Sequence, residues 1–512
     1  MNFMESVNET INNAFNVSIT ENGAYGFRTT GKKLMDLNFE ISSLRNMKDF
    51  DIIQKFIGAY YENPLLAVKW LFFAGDVREG IGERRLFRIG MRYLGENHPK
   101  IAKAVLALIP EYSRWDNVLC LLDTELVDEV IEMIKQQLAE DMQNCAMNKP
   151  ISLCAKWMPS CNASSKETKR LAEIIIKKFG ITERNYRKML TKLRNHLKIV
   201  ETYMSKKNWS EIDYSSVPSR ANLIYNSAFL RNDEIRRRDY LSKLEKGEAK
   251  INAGVLFPHD IVSKYNTAGG YYRSLKPLDA TLEELWKALP DTVKGNGNTI
   301  CVADGSGSMI SNIKGTNATA LDVANAMAIY FSERFDGQFK NKYITFSRRP
   351  QIVDFSNAKT LRDKIEIARK HSEVADTNIE AVFDLILQTA IEHNMKQDDL
   401  PHNILILSDM EFNHCVFTNH GRADKRLFET IAHKYANHGY KVPRLIFWNI
   451  ISRTGTIPVK ENELGVALVS GFSPNVAKMV MSNSTDPFEC LLEQLNSERY
   501  KPVEDAIKDL VA

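Results

Sequence analysis

The chain has 512 residues, more than one hydrophobic core usually organises, so at least two domains are expected. Its 44% hydrophobic and 26% charged residues, with 25 Gly and 16 Pro, exclude a long disordered or collagen-like chain. A formal charge of +4, from 68 Lys and Arg against 64 Asp and Glu, nearly cancels, so only an uneven distribution makes a basic surface.

The N-terminal stretch MNFMESVNETINNAF lacks a basic segment followed by an apolar one, and no run of about 18 apolar residues occurs, so neither secretion nor membrane spanning is expected. Seven scattered cysteines without a Cys-x-x-Cys pair point to a reducing, cytoplasmic setting rather than a disulfide framework or structural zinc.

From about Lys32 to Tyr265 apolar residues recur at three- and four-residue spacing, as in NPLLAVKWLFFAGDV, ERRLFRIGMRYLGEN and KRLAEIIIKKFG. Successive helices with short connections predict an irregular antiparallel helix-pair solenoid, assigned to residues 1–290. Within it, REGIGERRLFR places Gly80 and Gly82 in a turn before a helix carrying Arg84, Arg85 and Arg88. That is a phosphate-holding arrangement or a plain interhelical turn. Between Lys156 and Lys250 there are 22 Lys and Arg against 11 Asp and Glu, a local excess hidden by the whole-chain total. Basic residues on successive helices form the electrostatic footprint of a phosphate backbone, or a solvated helix face. Trp157, Tyr186, Tyr203, Trp209 and Tyr214 are available to stack bases or to pack.

After a small-residue and polar linker at about 266–298, short apolar runs alternate with amphipathic helices: TICVAD, KYITFS, QIVDFS, NILILSD, RLIFWNII and LGVALVSG. This predicts βα units building a mainly parallel, doubly wound sheet over 291–485, with a helical segment at 486–512 that packs on the rest. TICVAD runs into DGSGSM, which sets Asp304, Ser306 and Ser308 at the carboxyl end of a buried strand, where open sheets bind ligands. Two hydroxyls and a carboxylate at alternate positions can converge on a hard cation, with Thr377 at a helix start and Asp409 at a strand end as further donors. The alternative is a Ser/Gly turn and helix cap.

This Asp-x-Ser-x-Ser, Thr, Asp series resembles the metal-ion-dependent adhesion site of von Willebrand factor A domains. The resemblance implies Mg²⁺ or Mn²⁺ held directly by Ser306, Ser308 and Thr377, with Asp304 and Asp409 acting through water and one position open to a partner's acidic group. The chain departs from that pattern in VAD before Thr377, where the family has a glycine pair. The strings NPLLAVKWLFFAGDVREGIGERRLF, AKWMPSCNASSKETKRLA, WSEIDYSSVPSRA and KINAGVLFPHDIV resemble the DUF2828 family, a TROVE-related group ending in an A-like domain, and this resemblance covers nearly the whole chain. Its wider similarity to Ro 60 kDa-type proteins implies a HEAT-like ring that binds small structured non-coding RNA outside and single-stranded RNA ends within. The RNA-contact candidates are Arg84, Arg85, Lys156, Lys166, Lys169, Arg170, Arg184, Arg187, Lys188 and His259.

The expected function is a monomeric, non-catalytic RNA-binding scaffold of ribonucleoprotein type. The alternative is a protein-interaction module that captures an acidic side chain through the ion. No HExxH, G-x-S-x-G elbow or paired cysteine and histidine supports an enzyme.

Overall fold

The computed structural model describes residues 15–20, 25–267, 274–293, 298–316, 318–346, 349–371, 379–411, 427–457, 466–473 and 486–511, with Met4 and Asn475. It forms two compact units: Met1–Lys48 with Leu256–Gln494, and Asp49–Val255 with Leu495–Ala512.

In the first unit, strands β1 (Val17–Ile19) and β2 (Tyr25–Phe27) form a hairpin, followed by helix α1 (Lys33–Phe39). Phe27 and Ile457 exchange backbone hydrogen bonds of 2.8 Å, and the Asn449 amide donates to the Phe39 carbonyl at 2.8 Å. These bonds, with the burial of Leu34, Leu37 and Phe39, seat the N-terminal segment on the α/β unit. The division therefore departs from the boundary at 290 that periodicity suggests. Helical spacing reports which face of a helix is buried, not which core buries it.

The second unit is helical. It contains α2 (Asp49–Glu62), α3 (Pro64–Gly75), α4 (Arg84–Asn97), α5 (Val127–Ala146), α6 (Lys166–Phe179), α7 (Glu183–His196), α8 (Ser219–Asn232) and α9 (Glu234–Glu245). Nine consecutive residues of α3, Ala67 to Gly75, are buried, so this helix is central rather than amphipathic. Its start is fixed by Pro64 in the first turn and by Asn63, whose side chain accepts from the Leu66 N–H at 3.0 Å. Lys69 is buried in that helix, and its ammonium donates to Glu504 at 2.6 Å and Asn496 at 2.7 Å. Arg499 pairs with Asp76 at 2.9 Å and Tyr500 stacks on Tyr112. The C-terminal segment thus completes this core.

The remaining elements return to the first unit: α10 (Pro258–Tyr265), β3 (Thr299–Asp304), α11 (Ala320–Arg334), β4 (Lys342–Phe346), β5 (Ile352–Asp354), α12 (Leu361–Lys370), α13 (Ile379–Glu392), β6 (Asn403–Ser408), α14 (Leu427–Asn437), β7 (Arg444–Asn449) and β8 (Ala467–Ser470). The six strands run in the order β5-β4-β3-β6-β7-β8, all parallel except β5, which is antiparallel to β4. Every residue of β3 is buried, as are the last five of β6 and β7, which is why these strands are continuous apolar runs rather than alternating ones. This is the helical-plus-doubly-wound fold class expected. No helix among the described residues is long and apolar enough to cross a membrane.

Candidate functional site

The carboxyl edge of the sheet is set by register. Ala303 pairs with Leu407, and Ser408 pairs with Asn449, so the ends of β3, β6 and β7 lie side by side. Asp304 then meets Ser408, whose hydroxyl donates to Oδ2 at 2.6 Å, while the Ser306 N–H donates to Oδ1 at 2.9 Å. Ser306 precedes a short 3-10 turn, Gly307–Ile310, yet its hydroxyl makes no capping bond. It lies 2.9 Å from the Ser308 hydroxyl instead. The helix-cap reading of DGSGS is therefore not what the serines do.

Asp409 follows β6 and is 1% exposed. Met410, next along, has a φ of +63°, a left-handed conformation rare for an unbranched side chain outside Gly, Asn or Asp. That turn carries the chain to Glu411, a buried carboxylate that accepts the Arg453 N–H at 2.8 Å and the Thr454 N–H at 3.0 Å. Asp409 Oδ1 accepts the Glu411 N–H at 3.2 Å. Its Oδ2 accepts no hydrogen bond from a described residue, with the Arg453 guanidinium at an ion-pair distance of 3.5 Å.

Two desolvated carboxylates thus share one edge. Burial, with the Asp304 charge adding to it, pushes the Asp409 carboxyl up to about 7 against the opposing pull of the Ser308 hydroxyl, the Glu411 N–H and Arg453. Burial likewise raises Asp304, against the hydroxyl and N–H groups that donate to it. Among the described residues no three His, Cys, Asp or Glu side chains gather as a metal cluster, so the donors at this edge are hydroxyls with two carboxylates. Thr377 lies outside the described residues. Sequence reasoning overlooked Ser408, Glu411 and Arg453. Ser408 was visible beside Asp409 at the end of NILILSD, and Arg453 follows the apolar run RLIFWNII.

In the helical unit the candidate cations fall into distinct groups. Arg184, Lys188 and Lys192 lie on one exposed face of α7 at four-residue spacing, and none makes an ion pair or hydrogen bond with a described residue. Arg187 on the same helix is 3.8 Å from Glu183. Lys166 and Lys169 of α6 are exposed, while Arg170 is tied to Asp123 at 2.7 Å and to Glu167 at 2.7 Å. Lys156 rests over the Trp157 ring at 5.5 Å, and Arg114 covers it at 3.8 Å. Arg84 and Arg85 open α4 and line a cavity of about 820 Å³; Arg85 pairs with Asp49.

One expectation changes, and one open alternative closes. His259 is 3% exposed, with its ring 5.7 Å from that of Phe257 and 5.6 Å from that of Phe472, and it belongs to the α/β unit's core rather than to an RNA surface. Tyr186 and Tyr214 are buried, their hydroxyls donating to the Pro159 carbonyl at 3.0 Å and to Asp233 at 2.9 Å, so they pack rather than stack bases.

Residues 20–113 and 124–299 match the family model described as a domain of unknown function, DUF2828, and the chain belongs to that family. The match ends where the sheet begins rather than covering nearly the whole chain. Residues 298–508 match a second domain of unknown function, DUF7788. The chain is 30% identical over 528 aligned residues to the uncharacterized protein L728 of Acanthamoeba polyphaga mimivirus, covering 95% of this chain and 89% of that one. Among solved structures, the Ro (RSR) protein of Deinococcus radiodurans aligns over 81% of this chain and 90% of its own, with a TM-score of 0.44 and 15% identity.

Proposed function

We propose that this chain is a non-catalytic RNA-binding scaffold of the reducing cytoplasm, whose helical unit meets the phosphate backbone of small structured RNA or single-stranded RNA ends. The observation that carries the reading is the row Arg184, Lys188 and Lys192 on α7, exposed and without acidic partners among the described residues, next in sequence to the exposed Lys166 and Lys169 of α6. Unpaired cations are the ones free to replace counterions on a polyanion; those held in local ion pairs, such as Arg170, contribute less. Titration with structured and single-stranded RNA at several salt concentrations tests the proposal, which requires affinity that falls as salt rises.

The sheet edge is proposed to take Mg²⁺ or Mn²⁺. The donor chemistry fits: Ser306 and Ser308 supply hydroxyls, Asp304 and Asp409 supply carboxylates, and Asp409 Oδ2 is buried with no hydrogen bond from a described residue. A divalent ion would offset the mutual repulsion of the two acids and offer a partner's carboxylate a site. That unsatisfied oxygen favours the second reading, a protein-interaction module without RNA. Replacing Asp304 and Ser306 with Ala separates the two: loss of protein partners with RNA binding intact favours the second, and a defect confined to RNA favours the first.

A further inference from the structure

The geometry points to the arginine-lined cavity of the helical unit as a mononucleotide site, with Arg84 meeting the phosphate and Phe50 offering its ring to the base. This stands apart from the α7 surface and does not depend on it.

Five arginines, Arg84, Arg85, Arg88, Arg92 and Arg114, line the cavity against three carboxylates, Asp49, Glu96 and Asp116. The outer pairs are locally neutral, since Arg85 meets Asp49 and Arg92 meets Glu96 at 3.3 Å and Asp123 at 3.0 Å. The inner group is not. Asp116 accepts from Arg88 through Oδ2 at 2.8 Å and from Arg114 through Oδ1 at 2.8 Å, so both its oxygens are occupied. Arg84 is left with no hydrogen bond or ion pair to a described residue, although it is open to the cavity. Its guanidinium is held down to about 10, first by burial and then by the Arg114 charge, with Arg88 and Arg220 adding to the effect and only Asp116 opposing it. One carboxylate among three guanidinium groups leaves a concave surface of net positive charge, which a doubly charged phosphate monoester would neutralise through charge-assisted hydrogen bonds.

The local backbone builds this arrangement. A Cβ on Gly80 would stand 2.0 Å from the Phe73 carbonyl, and Gly82 has a φ of +79°, so glycine is needed for the turn to fold back on α3. The Ile81 and Glu83 N–H groups then bond the Phe73 and Ala74 carbonyls at 3.1 and 2.7 Å. Helix α4 therefore starts at a fixed place, and Arg84 and Arg88, four residues apart, share a face.

Size and rim chemistry specify more than a lone phosphate. A volume of about 820 Å³ suits a small organic ligand, and Phe50 on the wall is 68% exposed beside Ile53 and Ile89. An exposed aromatic and the Arg84 guanidinium lining one cavity are the pairing that takes a base and its phosphate together. The nucleotide is either free or the phosphorylated end of an RNA.

Isothermal titration of the full chain at low salt tests this with AMP, adenosine, inorganic phosphate, and a short RNA with or without a 5′ phosphate. AMP should bind at least tenfold more tightly than adenosine. Arg84→Gln should weaken AMP at least tenfold without lowering the melting temperature, because it removes no bond from the fold. Phe50→Ala should weaken AMP about tenfold and leave inorganic phosphate unchanged. If AMP binds and the two RNAs bind equally, the source is free nucleotide; an Arg84-dependent preference for the phosphorylated RNA assigns the chain end. The inference is overturned if neither AMP nor phosphorylated RNA binds at millimolar concentration, or if Arg84→Gln and Phe50→Ala leave binding unchanged. Either result with salt-dependent RNA binding intact leaves the α7 reading standing.

Discussion

In the α/β unit, charge is concentrated: Asp304 and Asp409 are each 1% exposed at one sheet edge, and the Arg453 guanidinium lies 3.5 Å from Asp409. In the helical unit, charge is spread over solvent-facing helices, and part of it is cancelled nearby, as in Arg170 with Asp123 and Glu167, Lys178 with Asp128, and Arg238 with Glu234. A buried group matters through the cost of leaving it unsatisfied, whereas an exposed one matters only if nothing close already neutralises it. Burial therefore singles out the residues proposed to hold an ion in the first unit, and absence of a described partner singles out those proposed to meet RNA in the second.

The largest effect expected from this contrast lies on α7. Replacing Arg184, Lys188 and Lys192 together with Ala should weaken single-stranded RNA binding by about 10- to 100-fold at low salt, and reduce the slope of log affinity against log salt by about 2. Filter binding across a salt series reads both quantities. Arg170→Ala should change affinity by less than about twofold, because its guanidinium is already held by two carboxylates. Equal losses from the two variants would break the distinction between paired and unpaired cations.

Stability offers the next test. Glu504→Ala leaves the Lys69 ammonium buried with Asn496 as its remaining partner, and should cost about 2 to 3 kcal/mol in chemical denaturation. The hydrogen bond from Lys69 holds the Glu504 carboxyl below its ordinary value. The stability from this pair is therefore present above the ordinary glutamate range and is lost as pH falls through the lowered value. His259→Ala should cost about 2 kcal/mol through lost packing against Phe257 and Phe472, and leave RNA affinity within about twofold.

At the sheet edge, Mg²⁺ at a hundredfold excess over its dissociation constant should stabilise the chain by about 2.7 kcal/mol, seen as a rise in melting temperature. Asp409→Ala should abolish that rise. A rise that survives the replacement would place the ion elsewhere.

How far the sequence could be read follows the same contrast. The buried strands TICVAD, NILILSD and RLIFWNII are legible because two covered faces demand unbroken apolar runs, and Asp304 and Ser306 are legible because a strand end fixes their neighbourhood. Arg453 is distant in sequence from Asp409 and meets it through the pairing of β6 with β7, which local spacing does not encode. On the helical side the excess of basic residues was visible, but not which had partners. Arg170 and Lys169 are neighbours in sequence, and only folding brings Asp123 to one of them. The N-terminal hairpin escaped because three-residue strands are too short to show a period. The placement of α1 and of the C-terminal segment depends on bonds such as Asn449 to Phe39 and Lys69 to Glu504, which link residues hundreds of positions apart.

The central claim, that unpaired cations on α7 bind an RNA backbone, is tested most directly by titrating the full chain and its Arg184→Ala, Lys188→Ala, Lys192→Ala triple variant with single-stranded RNA over a salt series. The account predicts measurable binding at low salt, weakening as salt rises, with a shallower slope for the triple variant. No binding at low salt, affinity indifferent to salt, or identical curves for the two proteins would contradict it.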